Sequence, residues 1–455
     1  MNRAFGDPTL TPDNFSSFSK QEVSADSAIR ATAQLEPIPT PRSTAPMDLS
    51  AVIGAPATQK IQNAGKIVLH TAGDTGGILH PECQFAVADA MTDDTANGAC
   101  FFYHLGDIVY FFGQDQYYFE QFYDPYRNYN APIFAIPGNH DGVVFKGESA
   151  KSLDAFVANF CTAQPENSQD GQGAARTTMD QPGVYFTLNA PFVKFIGLYS
   201  NTGEGGTQGV IAAPKIGTAQ LDFLNQQLAA AKAERASGQG RALVLATHHP
   251  PFTGSPFHIP SPDMLNQIDQ ACKAAGIWPD LHLSGHSHLY ERYTRTVNGR
   301  QIPYVVAGMG GYYDLTGLKH GAPPAPTTPA SGTDAVGNPL TLNVYNDTSF
   351  GFLRLTVSPA SIVGEFVTVD PTSRRIGLAD SFTLDLHAGT VGAAPPAKKG
   401  ASSRGGAKPV NPSRSKSKSK TPATSSKKVV PAKPKSKAAS ARTSSKKKSA
   451  KTRGR

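Results

Sequence analysis

The chain lacks any apolar run of the roughly 18 to 20 residues that a bilayer-crossing helix requires, which excludes an integral helical membrane protein. It has four cysteines in 455 residues, Cys83, Cys100, Cys161 and Cys272, far apart and forming no CxxC. A disulfide scaffold is therefore excluded, and free thiols in a reducing compartment are expected. The first thirty residues contain no apolar stretch of signal-peptide length, so the expected location is the cytoplasm. Residues 391–455 contain no acidic and no aromatic residue, yet hold 20 of the 43 Lys and Arg. The other 23 stand against all 35 Asp and Glu, so the formal net charge of +8 is the sum of a body at −12 and a tail at +20. A content of 39% hydrophobic and 9% aromatic residues suffices for a sizeable core in that body, and collagen-like or wholly disordered chains are excluded.

Three regions follow. Residues 1–63 are rich in Pro, Ser, Thr and Ala and read as an extended N-terminal arm. Residues 64–390 alternate short apolar runs with longer mixed stretches, the rhythm of a layered α/β or α+β domain. Expected strands include KIVLHTA, CFFYHL, PIFAIP, GVYFTL, FVKFIGLY, ALVLAT and DLHLS, with FGFLRLTV, SIVGEFVTV and SFTLDL closing a sheet. In TAQLDFLNQQLAAAKAERASG, Leu221, Leu224 and Leu228 recur at helical spacing and Gly238 supplies a stop. GAPPAPTTPASGTDAVGNP reads as a surface loop. Residues 391–455 are Lys/Ser/Ala/Pro low complexity, expected to be disordered; without aromatic residues, any contact with nucleic acid or another polyanion would be electrostatic, through counterion release.

Five apolar runs end on residues that can hold a metal: Asp74 in GDTG, Asp107 and Tyr110 in GDIVY, Asn139-His140-Asp141 in GNHD, His248-His249 before Pro250, and His286 and His288 in GHSH. Side chains at the carboxyl ends of several strands can converge on one point. Two carboxylates, a phenol, an amide oxygen and at least three imidazoles are too many donors for one closed zinc site. Mixed oxygen and imidazole donors suit Fe, Mn or Zn, and a set of seven suits two ions sharing a carboxylate. Such a pair activates water and stabilises the leaving oxygen of a phosphoester. Taken singly, each motif has an ordinary structural reading: a Gly-Asp is usually a turn, and Tyr110 lies in an aromatic run where packing is the default. The sequence also leaves His248 and His249 ambiguous by one position.

GDTG, GDIVY, GNHD, ATHHPPF and GHSHLYER, in that order, resemble the five motif blocks of the calcineurin-like metallophosphoesterases. They resemble most the purple acid phosphatase branch, in which a Tyr three residues after the second-block Asp stands in for a missing first-block His. The resemblance spans about Lys66 to Leu386. It implies a four-layer α/β/β/α sandwich and a hydrolase of phosphate monoesters acting through a metal-bound hydroxide. Two metal ions would be the cofactors, Fe(3+) and a divalent Zn, Mn or Fe. Asp74, Tyr110 and His288 would hold the ferric ion, Asp107 would bridge, and Asn139, His248 and His286 would complete the second ion; His248 is chosen over His249 by the family's His-x-Pro spacing. His140 would face the phosphate as proton donor or charge stabiliser, oriented by Asp141. His258 and His249 would line the substrate pocket, with Asn139 also reaching the phosphate. A phosphodiesterase acting on cyclic nucleotides or nucleic acid is the near alternative, and a polyanion-associated protein acting through its tail the distant one. His70, His104 and His282 lie within expected strands and read as structural or supporting groups, His80 as a weaker site candidate, and Gly308, Gly310 and Gly311 as a turn near the site.

Overall fold

The computed structural model describes residues 37–143, 151–202, 209–318 and 326–393. In chain order the strands begin with β1 (Met47–Asp48), β2 (Ile67–Ala72), β3 (Ala99–His104), β4 (Ile133–Ala135), β5 (Phe186–Ala190) and β6 (Val193–Gly197). They continue with β7 (Asn201–Thr202), β8 (Gly209–Val210), β9 (Ala242–Ala246), β10 (Leu281–Ser284), β11 (Tyr290–Val297) and β12 (Arg300–Ala307). The last are β13 (Ala330–Thr333), β14 (Pro339–Asn346), β15 (Phe350–Val357), β16 (Ser361–Val369), β17 (Ile376–Asp385) and β18 (Thr390–Ala393). The helices are α1 (Leu49–Ile53), α2 (Ala55–Ala64), α3 (Pro81–Asp94), α4 (Asn139–Gly142), α5 (Asp154–Phe160), α6 (Ala219–Ala236) and α7 (Pro262–Ala275).

A seven-stranded sheet in the order β18-β17-β16-β15-β2-β3-β4 faces a nine-stranded sheet in the order β1-β5-β6-β9-β10-β12-β11-β14-β13. Strands β2, β3 and β4 run parallel, as do β6, β9, β10 and β12, so their carboxyl ends share an edge of each sheet. The period-2 alternation of strands decides which side chains fill the space between the sheets. From β3, Phe101 and Tyr103 meet Phe195 of β6, the latter pair stacked at 4.6 Å; Tyr290 of β11 stacks on Phe366 of β16 at 4.3 Å. The intervening residues point the other way: Phe102 packs on Tyr126 and Tyr129, and Lys194 reaches Glu234 on α6. Helix α3 covers the outer face of the first sheet through His70–Asp94 and Arg354–Asp94, and α6 covers the second through Thr187–Gln227 and Lys194–Glu234. The result is the expected four-layer α/β/β/α sandwich.

The expected strands and the helix at 219–236 are present, with Gly238 at φ 76° just beyond its end. Two expectations need correction. The arm expected over 1–63 is not extended throughout: Met47–Asp48 pairs in parallel with β5, and α1 and α2 follow, with Leu49 buried. The Pro-rich stretch before them is tied down because Arg42 donates to the carbonyls of Thr162, Asp180 and Gln181 at 2.7 to 2.9 Å. The stretch read as a surface loop contains β13, which forms a hairpin with β14 around a turn at Asp334. Asp334 also accepts from buried Arg295 at 2.8 Å, which ties the hairpin to β11. The domain runs slightly past 390, because Val391 to Ala393 still pair with β17. The disordered-tail expectation falls on residues 394–455, outside the described residues. Among those described, no helix is long and apolar enough to cross a membrane.

Candidate metal centre

The loops after β2, β3, β4, β9 and β10 meet at one point. Asp74, Asp107 and His286 all adopt positive φ, at 57°, 54° and 67°, a costly conformation for residues with a Cβ. Backbone bonds hold them there: Asp74 N–H donates to Gly106 O, and His286 N–H donates to Asp74 Oδ2 at 2.8 Å. Glycine is required where the loops touch. A Cβ on Gly138 would lie 2.1 Å from Asp107 Oδ1, and one on Gly308 would lie 2.0 Å from Ser287 O.

The Tyr110 hydroxyl sits at the centre, 3.2 Å from Asp74 Oδ1, 3.1 Å from Asp107 Oδ2 and 3.3 Å from His288 Nε2. His248 Nε2 lies 3.3 Å from Asp107 Oδ2 and 3.0 Å from Asn139 Oδ1. Ligand atoms of Asp107, His248 and His286 all lie within 4.8 Å of one another, and all three residues are buried. All seven residues expected as metal ligands are thus gathered, with Asp107 touching both subsets. Asp74 and Asp107 are almost fully buried, and among the described residues no Lys or Arg pairs with either. Two such carboxylates can both be ionised only beside a compensating cation.

The tautomers fit that demand. His248 Nδ1 contacts Leu105 O at 2.9 Å, and His288 Nδ1 contacts Asp314 O at 3.0 Å. A carbonyl only accepts, so each Nδ1 carries a proton and Nε2 is the atom that can turn a lone pair inward once it is deprotonated, as in a metal-ligating imidazole. Burial pushes the Asp74 carboxyl well above its usual range. It opposes ionisation of Asp107 too, but there the charges of His248 and His140 win and hold the carboxyl low. His248 is raised to about 9 by Asp107 against the effect of burial, whereas burial and the neighbouring imidazoles keep His286 and His288 neutral. Burial, then Asp107 and Asp74, push the Tyr110 phenol up.

His249 lies one row back: Ser200 Oγ holds its Nδ1 at 3.0 Å and its ring is 4.3 Å from that of His286. The geometry therefore separates the two histidines that the sequence left ambiguous. His258 reaches the cluster, with ring centroids 4.7 Å from His286 and 4.8 Å from His288. His140 lies beside Tyr110, with its Nδ1 2.8 Å from Phe111 O. Asp141 does not orient it, contrary to expectation. The Asp141 carboxylate is buried and accepts the N–H groups of Ile108, Val109 and Gly138, bracing the loop that carries Asp107. Burial, reinforced by Asp107, raises it to about 7. Asp141 thereby supports the loop that carries Asp107.

His104 is a support as well. Its Nδ1 accepts from Gly106 N–H at 3.1 Å, so its Nε2–H donates to Thr75 Oγ1 at 2.8 Å. His70 pairs with Asp94, and His282 with Thr247, while exposed His80 pairs with Glu82 and lies against Tyr313, away from the ligand atoms. Three residues were not anticipated. Gln121 brackets Tyr110 by accepting from its N–H at 2.9 Å and donating to its C=O at 2.6 Å. Gln84 donates to Gln121 O and accepts from Gly77 N–H. The Tyr312 ring stacks on Tyr110 at 4.1 Å, delivered by the turn at Gly308, Gly310 and Gly311. Only Tyr312 had a signal in the sequence, its place beside those glycines; the glutamines act across the fold and had none.

Residues 69–290 match the model of the calcineurin-like phosphoesterase family. That domain belongs to the family. Its chemistry is metal-dependent hydrolysis of phosphoesters, and Asp107, His248 and His286 are placed so that they could hold a metal ion. No curated protein sequence matches the chain. Among solved structures, the chain is similar to GAP50, the anchor in the inner membrane complex of Plasmodium, at 16% identity over 70% of this chain and 89% of that one, with a TM-score of 0.47. It is similar to PhoD at 13% identity, covering 79% and 73%, with a TM-score of 0.43. A dimetal phosphatase from Danio rerio shows 11% identity, 70% and 98% coverage and a TM-score of 0.41.

Proposed function

We propose that this phosphoesterase domain is a phosphate monoesterase of the purple acid phosphatase type, with Fe(3+) and a divalent Zn, Mn or Fe held by the seven gathered residues. The observation that carries this reading is the Tyr110 phenol, equidistant within 3.1 to 3.3 Å from Asp74, Asp107 and His288. Asp74, Tyr110 and His288 form an anionic set suited to a trivalent ion, and Asn139, His248 and His286 a more neutral set suited to a divalent one, with Asp107 shared. When bound, the ions supply Lewis acidity and lower the pKa of water.

The side chains supply the rest. His140 Nδ1–H is spent on Phe111 O, so only Nε2 can exchange a proton with substrate, and His140 donates only as the imidazolium. His258, against both His286 and His288, contributes a second imidazole on the substrate side, with Thr316 Oγ1 3.4 Å from its Nδ1. His249 supports His286 from behind. Asn139 adds an amide oxygen beside His248.

The test is elemental analysis with a visible spectrum and turnover of p-nitrophenyl phosphate against bis(p-nitrophenyl) phosphate. Iron, a tyrosinate charge-transfer band and faster monoester turnover are expected. Absence of iron would overturn the purple type, and faster diester turnover would favour the diesterase alternative.

A further inference from the structure

Among the described residues five large apolar side chains are left exposed, and two of them, Phe257 at 66% and Ile259 at 36%, flank His258 in the chain. Isolated exposed apolar residues need no explanation, but a pair bracketing a substrate-side histidine does. Chance collapse of a slack loop does not account for them, because this loop is stiff. It is closed at its base by Ser261 N–H donating to Pro250 O at 3.0 Å. Within it Ser255 Oγ accepts from both Phe257 N–H and His258 N–H, at 3.3 and 3.1 Å. Ser255 N–H donates in turn to Thr253 Oγ1, which lies 3.1 Å from the hydroxyl of Ser287, the residue between His286 and His288. Buried Glu291 accepts Gly254 N–H at 2.8 Å and so fixes the loop from beneath. Pro256 and Pro260 restrict the backbone on either side of the three residues.

The loop thus holds Phe257 and Ile259 in water while it presents His258 to His286 and His288. Beyond His288 a further series of rings runs outward, with Tyr312 4.6 Å from His288, Tyr313 4.9 Å from Tyr312, and His80 5.6 Å from Tyr313. Exposed apolar side chains thus flank one of these imidazoles in the chain and aromatic rings lie against another, on the side where the proposed function puts the substrate. Hydrating that surface is unfavourable, and an apolar group placed on it recovers the cost.

We propose that Phe257 and Ile259 are specificity-determining residues, and that the site selects phosphoesters whose leaving group is aryl or alkyl over those whose leaving group is polar. This rests on the phosphoesterase reading above. The experiment compares kcat/KM for 1-naphthyl phosphate and glycerol 2-phosphate in the full-length protein and in the double variant Phe257→Ser, Ile259→Ser. Taking variant-to-parent ratios for each ester cancels the intrinsic reactivity of the leaving groups. The naphthyl ester is expected to lose about tenfold, mainly in KM, as for removal of a small apolar contact, with the glycerol ester changed less than about twofold and Phe257→Leu largely restoring the parent. Equal losses on both esters, or none on either, would overturn the proposal while leaving the phosphoesterase reading intact. A parent protein that turns over neither ester with its metals bound would overturn both. Because both side chains are exposed, the thermal transition of the variant should match the parent, and a lowered transition with equal losses would count against the proposal.

Discussion

His248 and His249 differ in what their Nδ1 atoms meet, a carbonyl for one and a serine hydroxyl for the other, and that difference assigns them different work. Only His248 presents Nε2 to Asp107 and Asn139. Replacing His248 by Ala should lower bound metal and reduce activity by about a hundredfold or more, since loss even of groups that merely orient a ligand costs about 10- to 100-fold; metal content and kcat/KM measured on one preparation check this. His140→Ala should behave otherwise, keeping its metal while kcat falls by about 10²- to 10⁴-fold, the usual value of positioned acid catalysis. Equal metal loss in the two variants would contradict the roles given. Asp141→Asn should cost stability of about 1 to 3 kcal/mol, because an amide NH₂ would face backbone N–H groups that now find an acceptor; urea denaturation reads it directly.

At the scale of elements, strands carry the ligands to a common edge and glycines let the loops close on one another. Gly138→Ala would force a methyl group into Asp107, and because that neighbour is held by its own backbone bonds the loop must shift. The expected result is weakened metal binding and a loss of about 1 to 3 kcal/mol, typical of overpacking, measured by metal titration and thermal unfolding. The elements themselves were largely legible. Strand ends such as KIVLHTA followed by Gly73-Asp74 combine an apolar run with a turn signal, and both are local. Helix α3 and strands β11, β12 and β14 were not recognised, because their burial comes from packing between layers and not from a clear period in PECQFAVADAMTDD or YERYTRTV. The fold of residues 47–64 was missed for a related reason: its composition is that of an arm, and only pairing with β5 and the carbonyls offered to Arg42 make it part of the domain.

For the whole molecule, pH acts through buried imidazoles. Burial pushes His104 and His282 down to about 3, while the unfolded chain protonates them near 6.5. A histidine whose folded pKa is depressed contributes stability above its unfolded pKa and loses it as pH falls toward the folded one. Stability should therefore decline between about pH 6.5 and 3, by on the order of 2 kcal/mol per histidine by pH 5. His282→Gln should flatten that decline when urea midpoints are compared across pH; an unchanged slope would exclude His282 as a contributor. The charge division makes a separate expectation. Deleting residues 394–455 removes 20 positive charges. Phosphoesterase activity should persist, while retention on a polyanion column at low salt should disappear; retention that survives would refute an electrostatic role for the tail.

The layered α/β class, the donor inventory and the order of the five motif blocks were legible in the sequence, because turn glycines, apolar runs and ligand types are properties of neighbouring residues. That Asp141 braces a loop and does not orient His140, and that Gln84, Gln121 and Tyr312 secure Tyr110, follows only from the folded chain. These depend on hydrogen bonds and ring contacts between segments far apart in the chain, whose directions no local pattern encodes.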